Sequence, residues 1–417
     1  MKTNQRIVFW LLLILFQGQL HAQETRSSLD EYLVIAAENN PGLKARFNEY
    51  MAAMEKVPQV GALPDPRFAF GYFISPVETR SGPQRASFGL SQAFPWFGTL
   101  ASKKDVASEV AKSHYELFEN ERANLFFEVK TAYYNYYFVE KAIQITRENM
   151  EILNIFRNLS LVKIEAGTAS VSDELRVELE LNDLENQLAL YLDSRDVFRT
   201  RFNNLLNRDN SVRVEVPEEL AEEDLPYGGL ALLDSIMESN RELRALDHKL
   251  QSFVRQEEAA EKMGLPEFSI GVNYLVIGKN EGTADPDSGK DAVLLPSVGV
   301  SIPIYRKKYK AMIREAEHMQ KASVSEKEEK RNSLNTLFAE NLRDFKDSSR
   351  RIALNRRQSE LANQVLDLLI TSYSTNSRDF EEVLRIERQL LSYKLAKQRA
   401  LIDKNVSVAF MDYLLGN

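Results

Sequence analysis

The side chains that most often carry enzyme chemistry are few in this chain and far apart. Past residue 22 the histidines are His114, His248 and His318. None has a second histidine at the spacing that lets one helix face present two imidazoles to a metal. Cysteine is absent, which removes thiol nucleophiles, thiolate-bound zinc, iron–sulfur clusters and a lipid anchor on an N-terminal Cys. Gly278-Lys279 is followed by Asn280 and lacks the upstream glycine of a phosphate loop. The 61 carboxylates fall largely on long polar helix faces, where such groups usually solvate a surface. The sequence therefore offers no catalytic set, no cofactor-binding set and no metal-ligating set, and its histidines read as exposed helix residues. It describes something other than an enzyme.

The frame around this missing chemistry is unusual. With 44% hydrophobic and 27% charged residues, the 417-residue chain has the composition of a folded protein. Only 17 Gly and 13 Pro are spread along it, so turns are scarce and the elements between them must be long. Residues 1–22 read as a cleaved export signal. Lys2 and Arg6 precede the ten-residue apolar run Ile7–Phe16, which is too short for a bilayer span of about 20 residues. Removing those two cations from 53 basic residues, against 61 acidic ones, takes the formal charge from −8 to −10. An acidic chain of this kind is not built to hold nucleic acid, whose phosphates need a basic footprint.

Two halves of the mature chain, residues 23–417, read alike: repeat one spans about 28–207 and repeat two about 229–415. At a shift of 200 residues Asn40, Leu43 and Ala45 match Asn240, Leu243 and Ala245, and Pro66 and Gly71 match Pro266 and Gly271. Each half is expected to run helix, strand pair, very long helix, turn, long helix. A capping box at Ser28-Leu29-Asp30-Glu31 opens the first helix, which the pattern carries to about Val57. The strands alternate with period two: Phe68, Phe70 and Tyr72; Phe88 and Leu90; Phe268, Ile270 and Val272; Val298 and Val300. Between these large residues stand Ala, Gly, Ser and Asn. Large-apolar on one face and small on the other is the pattern of a membrane barrel wall with lipid outside and water within. The segments joining the paired strands, Ser75–Arg85 and Gly278–Lys290, are polar and are expected to be loops. Near the opposite strand ends Phe94, Trp96, Phe97, Tyr305 and Tyr309 lie beside lysines and arginines, the mixture a membrane interface selects.

From Ala101 to Glu165 there is no Pro or Gly, which predicts a helix of about 100 Å at ~1.5 Å per residue. Its apolar residues step by four and three: Leu125, Val129, Ala132, Tyr136, Val139, Ile143, Met150 and Leu153, with Thr146 the one gap. That period is a coiled coil. A second such run, Arg306–Phe410, predicts a long helix, a break near Asn376 and a return helix. The fold class is thus mainly α with a small β part: very long antiparallel coiled-coil helices in two repeats, plus four strands given to a shared barrel. Four strands leave two open edges, which membrane-embedded backbone does not tolerate, so several chains must complete one barrel. Two chains give eight strands and three give twelve; strand arithmetic alone does not choose. A soluble periplasmic coiled-coil adaptor or scaffold would explain the helices but leaves the two-faced strands without a reason.

These segments resemble the TolC family of outer-membrane efflux proteins over nearly the whole mature chain. Leu29-Asp30-Glu31 with Ala37-Glu38-Asn39-Asn40-Pro41-Gly42-Leu43 is similar to the family's opening helix. Ser91-Gln92-Ala93-Phe94-Pro95-Trp96-Phe97-Gly98-Thr99-Leu100 resembles the strand-to-helix junction of its heavy-metal branch, with Thr99 where that branch usually has Lys. Gly167-Thr168-Ala169-Ser170 and Tyr373-Ser374-Thr375-Asn376 resemble the tips where paired helices reverse, Asn376 replacing the usual Gly. The resemblance implies a homotrimeric channel in outer-membrane lipid with a helical tunnel in the periplasm. It also implies partners, a periplasmic adaptor and an inner-membrane pump, and export of small solutes, with the junction pointing to divalent metal cations.

It further implies a gate at the tips. Glu382, six residues past the turn, stands where relatives place a pore-lining acid, and Asp173 is its counterpart in the first half. Relatives can carry a second acid nine past the turn, where this chain has Arg176 and Arg385. Arg378 stands at a basic position used in closing contacts. An acid–arginine lock among Glu382, Arg378 and Arg385, with Gly167 and Asn376 as turn residues, is the expectation.

Overall fold

The computed structural model describes residues 28–226, 228–280, 286–375 and 380–417. The export segment at 1–22, Asn376 and Arg378 lie outside them. The described elements are α1 (Ser28–Asn39), α2 (Pro41–Gly61), β1 (Arg67–Thr79), β2 (Gly82–Phe94), α3 (Thr99–Glu165), α4 (Val171–Leu205), α5 (Gly229–Ser239), α6 (Arg241–Met263), β3 (Glu267–Ile277), β4 (Ala292–Ser301), α7 (Arg306–Thr375) and α8 (Phe380–Leu415). The order helix, helix, strand, strand, helix, helix occurs twice. α3 and α7, at 67 and 70 residues, are the long helices that the scarcity of Gly and Pro predicts.

The opening helix does not run unbroken to Val57. It breaks at Asn40, because Pro41 removes a backbone donor and starts a new helix. The Asn40 side chain accepts from Leu43 N (3.1 Å) and donates to Leu205 O (3.0 Å). Asn240 does the same service for α6, accepting from Leu243 N. The matched Asn and Leu positions of the two halves are therefore helix caps.

The residues cluster into two compact units, and neither is a sequence repeat. One comprises residues up to Lys44 with 121–236 and 335–417; the other comprises 45–120 and 237–334. Each takes segments from both halves. In the first unit the coiled-coil seam of α3 is buried as its period requires, from Leu125 through Val129, Ala132, Tyr136, Val139 and Ile143 to Leu153. Residues 206–226 are laid along this unit by side chains. Asn405 accepts from Glu223 N and donates to Ala221 O, Tyr134 donates to Glu223, and the buried Lys404 reaches Glu222 and Asp224.

The second unit contains the sheet, ordered β1-β2-β3-β4 and antiparallel throughout. Most of Ser75–Arg85 is strand rather than loop. β1 continues to Thr79, β2 starts at Gly82, and Thr79 Oγ1 donates to Gly82 O across the turn. Gly82 has φ +129°, open only to glycine, and its missing side chain admits the Gly278 carbonyl. Polar residues here mark the hairpin end, but main-chain pairing overrides their weak strand preference. β1 and β4 pair on one side only among the described residues.

Candidate functional site

In the sheet unit the register decides which side chains share a face. Phe68 pairs with Leu90 and Leu90 with Val272; Phe70 pairs with Phe88 and Phe88 with Tyr274. Phe268 pairs with Val300 and Ile270 with Val298. Directly opposed residues point the same way, so these large side chains form one continuous face. The alternate rows are Ala69–Gly89–Asn273, Ser91–Gly271–Ser297 and Ala93–Ser269–Gly299. That face is small and hydroxyl-bearing. Ser87, Ser297 and Ser269 hydroxyls close over Gly71, Gly271 and Gly299, so a larger residue there would have to displace them.

The large face is bare. Phe68, Phe70, Tyr72, Phe88, Leu90, Ile270, Val272, Val298 and Val300 are all exposed, Val298 at 78% and Tyr72 at 70%. Phe268 differs from expectation. It is half-buried, with the Trp96 ring, itself half-buried, stacked on it at 5.7 Å. Phe94 pairs with Phe268 at the end of β2, and Phe97 and Tyr305 are strongly exposed. Tyr309 is half-buried under Lys308. Gly98, with φ +80°, turns the chain from strand into α3, and Lys262 donates to Ser102 just beyond. No described helix is long and apolar enough to cross a membrane.

The histidines part company with expectation too. His318 is exposed, but His248 is half-buried with its Nδ1 2.8 Å from Glu109 Oε2. Lys112 and His248 together hold the Glu109 carboxyl below its ordinary range, against the effect of burial. No cluster of three or more His, Asp or Glu with metal-holding geometry occurs among the described residues.

In the helical unit the tips are built from four helix ends. Gly167 takes φ +72° and ends α3, with Gly167 and Thr168 backbone amides donating to Ile164 and Lys163 carbonyls. Ser170 then caps α4 in a capping box whose other half is Asp173. Asp173 is thus occupied with its own helix start, a role the Ser-x-x-Asp spacing encodes. Glu382 and Arg385 do pair, but one turn apart on α8, with Arg385 Nε 2.9 Å from Glu382 Oε2. This bond holds the Glu382 carboxyl below the usual carboxylate range.

The ties between helices come from other residues. Arg176 of α4 reaches Glu381 of α8 at 3.2 Å, and Arg388 of α8 grips Glu180 of α4 with Nε at 2.9 Å and Nη2 at 2.7 Å. Lys163, at the end of α3, donates to the Tyr373 carbonyl near the end of α7 and sits 4.0 Å over the Tyr373 ring. Tyr373 in turn packs on Phe380 at 4.9 Å. Glu180, Glu381, Arg388 and Lys163 had no distinguishing spacing of their own, and Tyr373 was marked only as the start of a reversal motif. A seven-residue register carried through both tips would have put Arg388 and Glu180 on facing edges.

The chain combines a sheet that has a bare apolar face and a small polar face with hairpins of coiled-coil helices. Residues 33–208 match the model of the outer membrane efflux protein family. It is 23% identical over 191 residues to the Toxin and drug export protein A of Aggregatibacter actinomycetemcomitans, which is 45% of this chain and 41% of that one. The chain spans less than half the length of the curated relatives it matches. Two solved structures share the fold over nearly its full length. The CusC channel superposes with a TM-score of 0.78 at 17% identity, covering 94% of this chain and 93% of that one. The open-state MtrE outer membrane channel of Neisseria gonorrhoeae gives 0.74 at 19% identity, covering 93% and 89%.

Proposed function

We propose that the chain is the outer-membrane exit duct of an efflux assembly, a passive conduit rather than a catalyst. The observation that carries this reading is the four-stranded sheet with two edges unpaired among the described residues, one largely exposed apolar face and one small, hydroxyl-bearing face. Lipid is the solvent in which such a face is stable, and copies of the same chain are the partners that satisfy both edges. Three copies give a twelve-stranded barrel. The helix hairpins supply the periplasmic tunnel, and an adaptor and an inner-membrane pump supply energy and selectivity. Divalent metal cations are the proposed cargo, on the Phe94-Pro95-Trp96-Phe97-Gly98 junction. The test is fractionation with cross-linking followed by planar-bilayer recording. Trimers in the outer membrane that conduct are expected, and a soluble periplasmic monomer would sink the proposal. Deleting the gene and measuring accumulation of divalent cations against that of drugs separates the cargo classes.

The tip charges are proposed to hold the conduit narrow, with Glu382 as the pore-side acid. Arg385 keeps that carboxyl ionised, and an acidic ring at a pore mouth attracts multivalent cations. Glu382→Ala is expected to relieve block by such cations, and Arg176→Ser with Arg385→Ser to raise conductance. Unchanged recordings in both would remove these residues from the gate and leave the duct standing.

A further inference from the structure

Between Leu125 and Leu153 the buried seam of α3 is lined by aliphatic and aromatic side chains except where the tip region begins. Thr146 fills the one polar gap in the heptad pattern, and Asn149 follows three residues on; both are buried. Opposite Asn149, on α8, lies Glu387, 1% exposed. Asn149 Nδ2 donates to Glu387 Oε1 at 2.6 Å, while Glu387 Oε2 and Thr146 Oγ1 meet no hydrogen-bond partner among the described residues. The surroundings are hydrocarbon: Leu384, Leu390 and Leu391 on the same helix and Leu153 and Phe156 on α3 belong to the cluster that packs the tip. Glu387 is distinct from Glu382, which is exposed and paired. A lone acid inside a coiled-coil core weakens it unless it does something else there.

We propose that Asn149 and Glu387 form a proton-operated latch between α3 and α8: protonated, the pair lets the tip pack shut, and loss of the proton loosens that packing and favours the open tip. The step is a simple acid dissociation, the Glu387 carboxyl releasing its proton to water and keeping the electron pair. Only the consequence at a pore rests on the duct reading; the coupling of proton to packing does not. Burial drives the Glu387 carboxyl upward from its ordinary range, and Lys394, two turns along α8, and the Asn149 bond oppose this with smaller effect. Other charges on the packing helices are turned outward or engaged elsewhere. On α3 Arg147, Glu148 and Glu151 are exposed; on α4 Glu180 is held by Arg388 and Asp183 is exposed; on α7 Glu360 and Asp367 are exposed. On α8 itself Glu381, Glu382, Arg385 and Arg388 are committed to the pairs described above.

The sign follows from the direction. A carboxyl raised in the packed state stabilises that state below the ordinary carboxylate range, and the stability is lost as pH climbs toward the raised value. Across that interval the opening constant rises about tenfold per pH unit for one proton. Paired acids such as Glu382 act oppositely and weaken the tip only on acidification.

The test is hydrogen exchange on the full-length protein, corrected for intrinsic rates, over 143–156 and 380–395 from about pH 5 to about pH 8. Protection in the wild type is expected to fall with rising pH, and Glu387→Gln to make it flat. Asn149→Leu, which removes the bond to the charged form, is expected to move the fall to higher pH. If both Glu387→Gln and a Glu387→Leu control fail to fold, the Asn149→Leu shift still decides. Equal pH slopes in wild type and Glu387→Gln, or an Asn149→Leu curve that does not move, would overturn the latch. Bilayer recording of the same samples keeps the two readings apart. Absence of any pore defeats the duct whatever exchange shows. Pores with exchange that does not depend on pH defeat the latch alone.

Discussion

The sheet and the tips solve the burial problem in opposite senses. In the sheet, Phe68, Phe70, Tyr72, Ile270 and Val298 are turned outward and bare, while Ser, Ala and Gly fill the other face. In the tips, Leu153, Phe156, Val177, Leu181, Phe380 and Leu390 are turned inward, and Arg176, Glu381, Arg385 and Arg388 ring the outside. The chain uses the same residue types in both places and reverses them. On the duct reading proposed above, that reversal matches hydrocarbon around the strands and water around the helices. Within the tips Glu387 breaks the rule a second time, as a polar group where the core should be dry.

The largest effect is expected from imposing the tip's polarity on the sheet. Arginine at Ile270, Val272 and Val298 together costs about 2–4 kcal/mol per site at mid-depth of a bilayer. Loss of the protein from the outer-membrane fraction is the expected readout. Arginine at Ser269, on the other face, is expected to leave insertion intact. Equal outcomes for the two faces would end the comparison. Next in size is a cavity in the tip core. Leu390→Ala removes a fully buried side chain and is expected to lower stability by about 2–5 kcal/mol, seen as a shifted denaturation midpoint with insertion unchanged. Lys163→Met takes a cation from the C-terminal end of α7 and from the Tyr373 ring. A loss of about 1–2 kcal/mol is expected, confined to hydrogen exchange near the reversal. Ser170→Ala, which removes the α4 cap, is expected to cost about 1 kcal/mol and to fray only the first turn. The smallest effect belongs to Arg388→Ala, an exposed pair worth about 0–1 kcal/mol that is expected to fade in high salt.

Much of this was written in local patterns. Period-two alternation marked all four strands and their apolar face, because in a strand neighbouring side chains must point opposite ways. The four-and-three spacing marked the buried side of α3 from Leu125 to Leu153, and Gly167 marked its end. Where pattern misled, a longer-range contact was responsible. Ser75–Arg85 looks like a loop until main-chain pairing claims it, and Phe268 looks as bare as its neighbours until Trp96 stacks on it. The gate residues show the same limit. Glu382 and Arg385 were expected to lock helices to one another and instead pair one turn apart along a single helix, while nothing in the spacing marked Glu381 for Arg176 or Glu180 for Arg388.

The sequence by itself determined the lengths of the helices, the strands and their two faces, the helix caps at Asn40, Ser170 and Asn240, and the absence of thiol chemistry. These depend on residues within a turn or two of one another, and local sterics and hydrogen bonding settle them. Only the tertiary structure decided that the compact units cut across the repeats and that Lys163 clasps Tyr373. It alone showed that Thr146, Asn149 and Glu387 gather at one buried level of the α3–α8 packing. Such contacts join residues as many as 238 positions apart. Their partners are chosen by which helices lie side by side, which no local pattern along the chain records.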